Sequence, residues 1–381
     1  MYSEKWAEPV QSMRSEGDAL ADSTIAHIFE TGALNAVNDT LRKLFRNDDI
    51  PVADMHPAVK EYLQQSACLP TWADREKMRF ASHVFAMHGV QMVMMLFGAS
   101  LPTTYAAHRG AQVLMLTERM ANNTILERRI IETAQFVMDV TEHGAFEPEG
   151  RGIVAVQKVR LIHAAVSRLI LYDPHWKTQW DDSWGHPINQ VDMAGTMLSF
   201  STIVLQGMER SHIHLTLEEK EAYVHLWKVI GYMLGIQDAL MPVDYQDSID
   251  LIDTILQLNH EPSEAGKVLA STLVDYLHRH IPFFKSYVTD TMRHLVGHDA
   301  ADILGLPDYQ WTMWVFRLQK GIWWVESRLA REVPLFGHLS RTLNRRFLVT
   351  LLKAKRGGQR PTFRLPSTLR EKLDLSEKVG S

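Results

Sequence analysis

The chain contains 381 residues, of which 46% are apolar and 22% charged, a composition typical of folded globular proteins rather than disordered ones. Its single cysteine, Cys68, excludes an intramolecular disulfide framework and any zinc or iron–sulfur site that needs several thiolates. The formal net charge of −5 gives no electrostatic support for a general role in nucleic-acid binding.

Apolar residues recur at intervals of three and four along most of the chain, which is the pattern of amphipathic helices. This periodicity predicts helices at residues 76–99, 111–140, 153–172, 190–208, 218–240, 247–258, 264–280, 284–296, 309–331 and 338–356. The predicted breaks fall at proline and glycine, as at Pro102 and Pro242. No segment alternates apolar and polar residues as a half-buried strand would. The sequence therefore predicts an all-α fold.

Three regions are expected: an N-terminal helical region at 1–75 packed on the core, an all-α domain at 76–340, and a basic C-terminal helix and tail at 341–381. The N-terminus lacks a basic stretch followed by an apolar core. The most apolar stretches, residues 92–98 and 195–205, are shorter than the roughly 20 residues that cross a membrane. We therefore expect a cytoplasmic protein.

The C-terminal tail differs from the rest of the chain in charge. From residue 341 to the end there are 11 Lys/Arg and 3 Asp/Glu, a net charge of +8 that leaves −13 for residues 1–340. The helix predicted there carries an apolar stripe of Leu339, Leu343, Phe347 and Leu351. One interpretation is a last helix docked on the acidic body, and the alternative is attachment to an anionic membrane surface.

Two short motifs predict little. The G-x-G-x-x-A string at residues 150–155 does not follow a strand, so it indicates a turn that opens a helix rather than a dinucleotide site. A di-iron helical bundle would need paired Glu-x-x-His motifs, and a single such spacing, Glu209 to His212, is near chance.

His163 is a candidate site residue because it lies on an apolar helix face. Steps of four, three and four residues place it on one stripe with Val159, Val166 and Ile170, whereas Arg160 points elsewhere. An imidazole buried there needs a hydrogen bond or a metal to offset its desolvation. It is either a core histidine with a hydrogen-bond partner or a haem ligand, since haem needs only one protein nitrogen on its proximal side.

The preceding helix turns polar residues toward its apolar side. Arg129 and Thr133, with Glu132 beside them, continue the stripe formed by Phe136, Val137 and Val140. One interpretation is a solvated intrahelical pair of Arg129 and Glu132. The other is a polar patch within an apolar pocket, where donors act on a bound oxidant.

Two segments carry a resemblance to a known family: YAAHRGAQVLMLTERMANNTILERRIIETA at 105–134 and VQKVRLIHAAVSRL at 156–169. They resemble the MpaB/latex-clearing-protein (rubber oxygenase) family of haem b oxygenases. That family carries an Arg-x-x-x-Thr helix and, about thirty residues beyond the Thr, a histidine that binds haem iron. Arg129, Thr133 and His163 match this pattern. Further similarity covers SLPTTY at 100–105, INQVDMAGTM at 188–197, HLWKVIGYMLGI at 225–236 and FRLPSTLR at 363–370.

The resemblance implies a globin-like helical core with additional helices, holding haem b between the helices at 120–140 and 153–172. His163 would be the proximal iron ligand, and Arg129 and Thr133 would line the haem pocket as donors that orient or polarise dioxygen. The implied reaction is oxygenation or oxidative C=C cleavage of an apolar substrate, such as an isoprenoid or another olefin. A haem peroxidase, a redox or gas sensor, and a cofactor-free helical scaffold remain alternatives.

The chain also departs from the family. Rubber-cleaving members carry a Lys that can close the distal iron position where this chain has Glu132. A carboxylate is a weaker donor to ferrous haem and pairs more readily with Arg129, so we expect water or an empty position opposite His163. Glu118 lies near the expected region of those members' distal acidic residue. Those members are exported through a signal not found here, so polyisoprene is not the expected substrate.

Overall fold

The structure is a computed structural model that describes residues 3–49, 55–118, 124–280, 285–309 and 312–332, together with residues 342, 346 and 350. Within these residues it contains helices and no strand, so the all-α prediction is confirmed. The helices are α1 (Glu4–Ser12), α2 (Ala19–Glu30), α3 (Leu34–Lys43), α4 (Pro57–Gln65), α5 (Arg75–Met95), α6 (Leu101–Ala106), α7 (His108–Glu118), α8 (Thr124–Thr141), α9 (Gly152–Tyr172), α10 (Pro174–Lys177), α11 (Gln190–Leu198), α12 (Val204–Arg210), α13 (Leu217–Met233), α14 (Tyr245–Asn259), α15 (Glu264–His280), α16 (Lys285–Val296), α17 (His298–Ile303) and α18 (Met313–Glu332).

Several predicted helices match the observed ones closely. Helices α9, α14, α15 and α16 begin and end within two residues of their predicted bounds. The predicted helix at 218–240 instead ends at Met233, because Gly235 has a φ of 93° and reverses the chain. The Ile236 amide then donates to the Gly231 carbonyl, which caps the end of the helix.

The predicted break at Pro102 is wrong. A π-helical segment, Leu96–Ser100, joins α5 to α6 without a turn, and the Leu101 amide donates to the Leu96 carbonyl across it. Pro102 has no amide hydrogen, and it follows at the point where the hydrogen-bond register changes. The chain can therefore continue as helix through the proline.

Two further predicted helices include residues that the structure does not describe. The predicted helix at 111–140 is observed as α7 and α8, with residues 119–123 outside the described part of the chain. The predicted helix at 338–356 and the basic tail also lie outside it, apart from residues 342, 346 and 350. The proposed roles of the tail stay predictions.

The continuous helix Arg75–Ala106 is long and apolar enough to cross a membrane by length and composition alone. However, 56% of its most apolar window is buried inside the protein, and α13 packs along α5. The main hydrophobic core includes Phe85, Met92 and Met95 from this helix. These contacts are those of a core helix.

Helix α9 lies between two layers of the protein. Leu161, Ala164 and Ala165 pack against α2 and α4, in a core shared with Ile25 and Tyr62. The opposite face of α9 turns toward α8 and the main core, where Val156 is buried with Val137 and Val140. A helix buried on both faces needs its polar groups satisfied by other parts of the chain.

The N-terminal region satisfies those polar groups at the start of α9. The Asn47 Oδ1 accepts hydrogen bonds from the Ile153 amide at 3.0 Å and the Val154 amide at 3.3 Å. One turn further on, the Tyr62 hydroxyl donates to the Gln157 carbonyl at 2.8 Å. These bonds cap the helix and fix its position against residues more than ninety positions earlier in the chain.

A buried ion pair holds the middle of α9. The Arg160 guanidinium donates from Nε and Nη2 to the two oxygens of Asp18, at 2.5 and 2.8 Å. Both side chains are only about a tenth exposed, at 11% and 10%. Arg160 also donates to the Met233 carbonyl at the end of α13. Burial acts to lower the pKa of Arg160, but the hydrogen bonds and charge of Asp18 raise it above its usual value.

Arg160→Met should lower the free energy of unfolding by about 3–5 kcal/mol, because it leaves the carboxylate of Asp18 buried without its guanidinium partner. Asp18→Asn should also destabilise, although Asn can still cap α2 in place of Asp18. Urea unfolding of both single variants and the double variant measures the coupling between the two residues. Strictly additive losses would contradict an energetic role for the pair.

Candidate functional site

Helices α8 and α9 form an antiparallel hairpin that places the predicted site residues at one level. Thr133 and Arg129 lie eight and twelve residues before Thr141, the last residue of α8. His163 lies eleven residues after Gly152, the first residue of α9. At a rise of 1.5 Å per residue, these positions are about 12, 18 and 17 Å from the closed end of the hairpin. The predicted residues therefore fall within about 6 Å of one another along the axis of two packed helices.

The turn that joins the two helices requires glycine because of close backbone contacts. The Gly152 amide donates to the Ala145 carbonyl at 2.7 Å, and a Cβ atom at Gly152 would lie 2.9 Å from the same oxygen. A Cβ atom at Gly150 would also collide with backbone atoms of this turn. The prediction that the G-x-G-x-x-A string is a turn opening a helix is confirmed, and the glycines permit tight closure of the hairpin.

The inner face of α9 opens at His163. Val156, Val166 and Ile170 are buried, whereas Val159 and His163 between them are half-buried. Accessible space on this face is thus confined to about two turns of the helix, with well-packed levels above and below. The Nδ1 atom of His163 is itself buried, so the ring is inserted into the protein rather than directed to solvent.

Helix α8 opens at the same level. Val137 and Val140, near the closed end of the hairpin, are fully packed in the main core. From residue 129 to residue 136 every side chain except Ile130 is half-buried, including Arg129, Glu132 and Thr133. The described side chains that precede Val137 on α8, Ile130 excepted, are therefore less covered than Val137 and Val140.

The residues at this level fit a haem group. Haem needs one axial nitrogen ligand and an apolar slot, and donors beside the slot set its reactivity. His163 supplies the imidazole, and Val159, one turn earlier on the same face of α9, is a half-buried apolar side chain. Arg129 and Thr133 supply N–H and O–H donors on the facing helix. The assignment of each role stays a prediction.

The remaining candidates from the sequence lie elsewhere. Glu209 forms an ion pair with Lys220, and His212 is exposed on the surface with a φ of 60°. Their Glu-x-x-His spacing therefore does not assemble a buried ligand pair. Glu118 is the last residue of α7, and its side chain is outside the described residues. Among the residues that are described, no group of three or more metal-ligating side chains occurs.

A second polar cluster was not identified from the sequence. Burial raises the pKa of Asp192, on α11, to about 6, although the charges of Arg14 and Arg109 and a hydrogen bond from Asn189 oppose the rise. The signal available in the sequence was the INQVDMAGTM segment, in which an acidic residue stands among apolar ones. The cluster joins the N-terminal ends of α7 and α11 and is separate from the α8–α9 level.

The fold defines an all-α protein in which two packed helices carry half-buried polar residues, a histidine on α9 and Arg129 and Thr133 on α8. The family described as "ER-bound oxygenase mpaB/B'/Rubber oxygenase, catalytic domain" matches residues 78–326. The chain belongs to this family and is an oxidoreductase.

Two relatives illustrate the relationship. A rubber oxygenase from Streptomyces sp. (strain K30) is 26% identical over 294 residues, which are 76% of this chain and 70% of that protein. A solved structure of latex clearing protein LCP in the closed state superposes with a TM-score of 0.75 at 23% identity. The superposition covers 93% of this chain and 95% of that one. This second similarity establishes a shared fold.

Proposed function

We propose that the chain is a haem b-dependent oxygenase that acts on an apolar, olefinic substrate such as an isoprenoid, by oxygenation or oxidative C=C cleavage. The observation that carries the proposal is a group of half-buried residues on the packed helices α8 and α9, with His163 on one helix and Arg129 and Thr133 on the other. Membership of an oxygenase family supports the reaction class. The cytoplasmic location expected from the sequence stays a prediction.

Haem, when bound, supplies the activation of dioxygen. The chain's own residues would hold the group: His163 would provide the nitrogen ligand, from a helix fixed by the Arg160–Asp18 pair. Val156 and Val166 are buried and exclude water along α9 on either side of His163. Once the bound group displaced water, hydrogen bonds from Arg129 and Thr133 would act more strongly than they do in water.

The proposal is tested first by the visible spectrum of the purified protein and by oxygen uptake. We expect an intense Soret band, a haem b signature after extraction into pyridine, and oxygen consumption that depends on an added isoprenoid olefin. Protein that binds no haem when haem is supplied during expression would indicate a scaffold. Haem protein that turns over peroxide but not olefin and oxygen would indicate a peroxidase.

His163→Ala should yield folded protein with little or no bound haem, because the axial imidazole is lost. His225→Ala is a matched control, since His225 is also a half-buried helical histidine but lies on α13. Haem content measured by pyridine extraction checks the expectation, and free imidazole should partly restore binding in His163→Ala. Normal haem stoichiometry and an unchanged spectrum in His163→Ala would remove His163 from the proximal role.

Arg129→Ala and Thr133→Ala should each retain substantial haem while lowering olefin-dependent oxygen uptake by about tenfold or more, the scale of a lost donor to developing charge. Thr141→Ala is the control for the structural cost of such a change on α8, because the Thr141 hydroxyl donates within its own helix, to the Val137 carbonyl. A structural role predicts instead that haem content and activity fall in proportion.

The resting iron should have an open position opposite His163, since Glu132 is a poor ligand for haem iron. The ferric protein is expected to be high-spin and to bind cyanide or imidazole readily, as seen by optical titration. Glu132→Lys should create a competing amine ligand and give a low-spin component at high pH. A low-spin wild-type spectrum that Glu132→Ala converts to high-spin would identify Glu132 itself as the ligand and refute the open position.

A further inference from the structure

Helix α18 presents a continuous apolar stripe to solvent. Trp314, Leu318, Ile322 and Val325 follow steps of four, four and three residues, and they are 63%, 62%, 59% and 48% exposed. The opposite side of the same helix is anchored, because Phe316 and Trp323 are buried in the main core. The stripe is therefore displayed in a fixed orientation.

An exposed stripe of this kind needs an explanation. Single exposed apolar residues are normal on protein surfaces, but contiguous patches of large ones mark interaction sites. The other large apolar side chains that are exposed in the described part of the chain are distributed over separate elements, such as Tyr172 on α9, Leu217 on α13 and Val268 on α15. On α18, by contrast, four exposed large apolar side chains follow one another along one face of the helix.

Among the side chains that the structure describes, positive charges border the stripe. Arg317 and Arg328 are exposed and flank the stripe on one side, with Trp324 between them on the same edge. The Arg328 guanidinium lies 5.6 Å from the centre of the Trp324 ring. From residue 313 to residue 328 the sequence contains Arg317, Lys320 and Arg328 against one acidic residue, Glu326, a net charge of +2. The chain that follows, from residue 341, carries a net charge of +8.

These charges indicate which of three candidate partners binds the apolar stripe. A second copy of the chain, docked stripe to stripe with its helix antiparallel, would bring the arginines of both copies to the same edge, and in either direction it would offer them no phosphate groups. The tail of this chain carries the same sign of charge and would be repelled. An anionic lipid surface offers an apolar layer for the stripe and phosphate groups for the arginines, which is the combination that interfacial amphipathic helices use.

We propose that α18 docks in the plane of an anionic lipid surface, with Trp314, Leu318, Ile322 and Val325 entering the acyl boundary and Arg317 and Arg328 contacting headgroup phosphates. The depth available to such a face is about 5–10 Å, close to the reach of one layer of side chains. The basic tail, which begins nine residues after the end of α18, would add electrostatic attraction to the same surface.

Co-sedimentation of the full chain with vesicles tests this proposal. We expect binding to vesicles of phosphatidylcholine with phosphatidylserine, weak binding to phosphatidylcholine alone, and a loss of affinity as salt rises. Leu318→Glu and Val325→Glu should each weaken binding by about tenfold or more, because a charge replaces an inserted apolar side chain. Arg317→Gln with Arg328→Gln should reduce the salt dependence.

Val268→Glu is the matched control for Val325→Glu. Val268 is 50% exposed against 48% for Val325, and both valines lie within helices. The control should bind vesicles like the wild type, and thermal unfolding should show that all of these variants remain folded.

Three outcomes would overturn the proposal. The first is vesicle binding that Leu318→Glu and Val325→Glu leave unchanged, which would assign the attachment to the tail alone. The second is a stable dimer in sedimentation velocity that Val325→Glu converts to monomer, which would make a second copy the occupant. The third is no binding to anionic vesicles at low salt. None of these outcomes bears on haem content, so this proposal and the proposed oxygenase function fail or stand separately.

Discussion

The position of α9 is the constraint on which the candidate site depends. This helix is buried on both faces, and apolar packing alone would let it slide along or rotate between its neighbours. The Arg160–Asp18 pair removes that freedom, because a bidentate guanidinium–carboxylate contact has one geometry, and Arg160 also bonds to the end of α13. The register of α9 is fixed three residues from His163. A shift of one residue would turn His163 by about 100° away from α8.

Such a fixed helix permits an opening in the core without collapse. A gap between packed helices normally costs stability, since neighbouring side chains lose contacts they cannot recover. Here Val156 packs in the main core and Val166 packs in a separate cluster with residues of α7 and α10, so α9 is held by buried side chains on both sides of His163. Under the proposed function, a planar apolar group that filled such a gap would offset its cost, and cofactor binding would then be coupled to the stability of the fold. The same group would accept hydrogen bonds from Arg129 and Thr133.

The sequence predicted the local features of this fold well and the long-range ones poorly. Helical periodicity located α9 and α15 closely, and the grouping of Thr133 with His163 at one site stays a prediction. The break predicted at Pro102 does not occur, because the π-helical segment before Pro102 lets the helix continue through the proline. A pattern of apolar residues does not predict such a segment. The partner of Arg160 could not be predicted either. Asp18 lies 142 positions earlier in the chain, and nothing in a single sequence couples two residues at that distance.

The exposed stripe of α18 and the opening at His163 belong to one packed body. Phe316 and Trp323, beneath the stripe, share the main core with Val137, Val140 and Val156, which close the end of the α8–α9 hairpin. Elements that share a close-packed core keep a fixed orientation relative to one another. Docking of α18 on a surface would therefore also set the orientation of the hairpin relative to that surface. An apolar olefin partitions into lipid rather than water, at about 0.8 kcal/mol per buried CH₂ group. An enzyme held at the lipid boundary in a fixed orientation would meet such a substrate where it is concentrated, and the buried walls around His163 would then receive it without first exposing it to water.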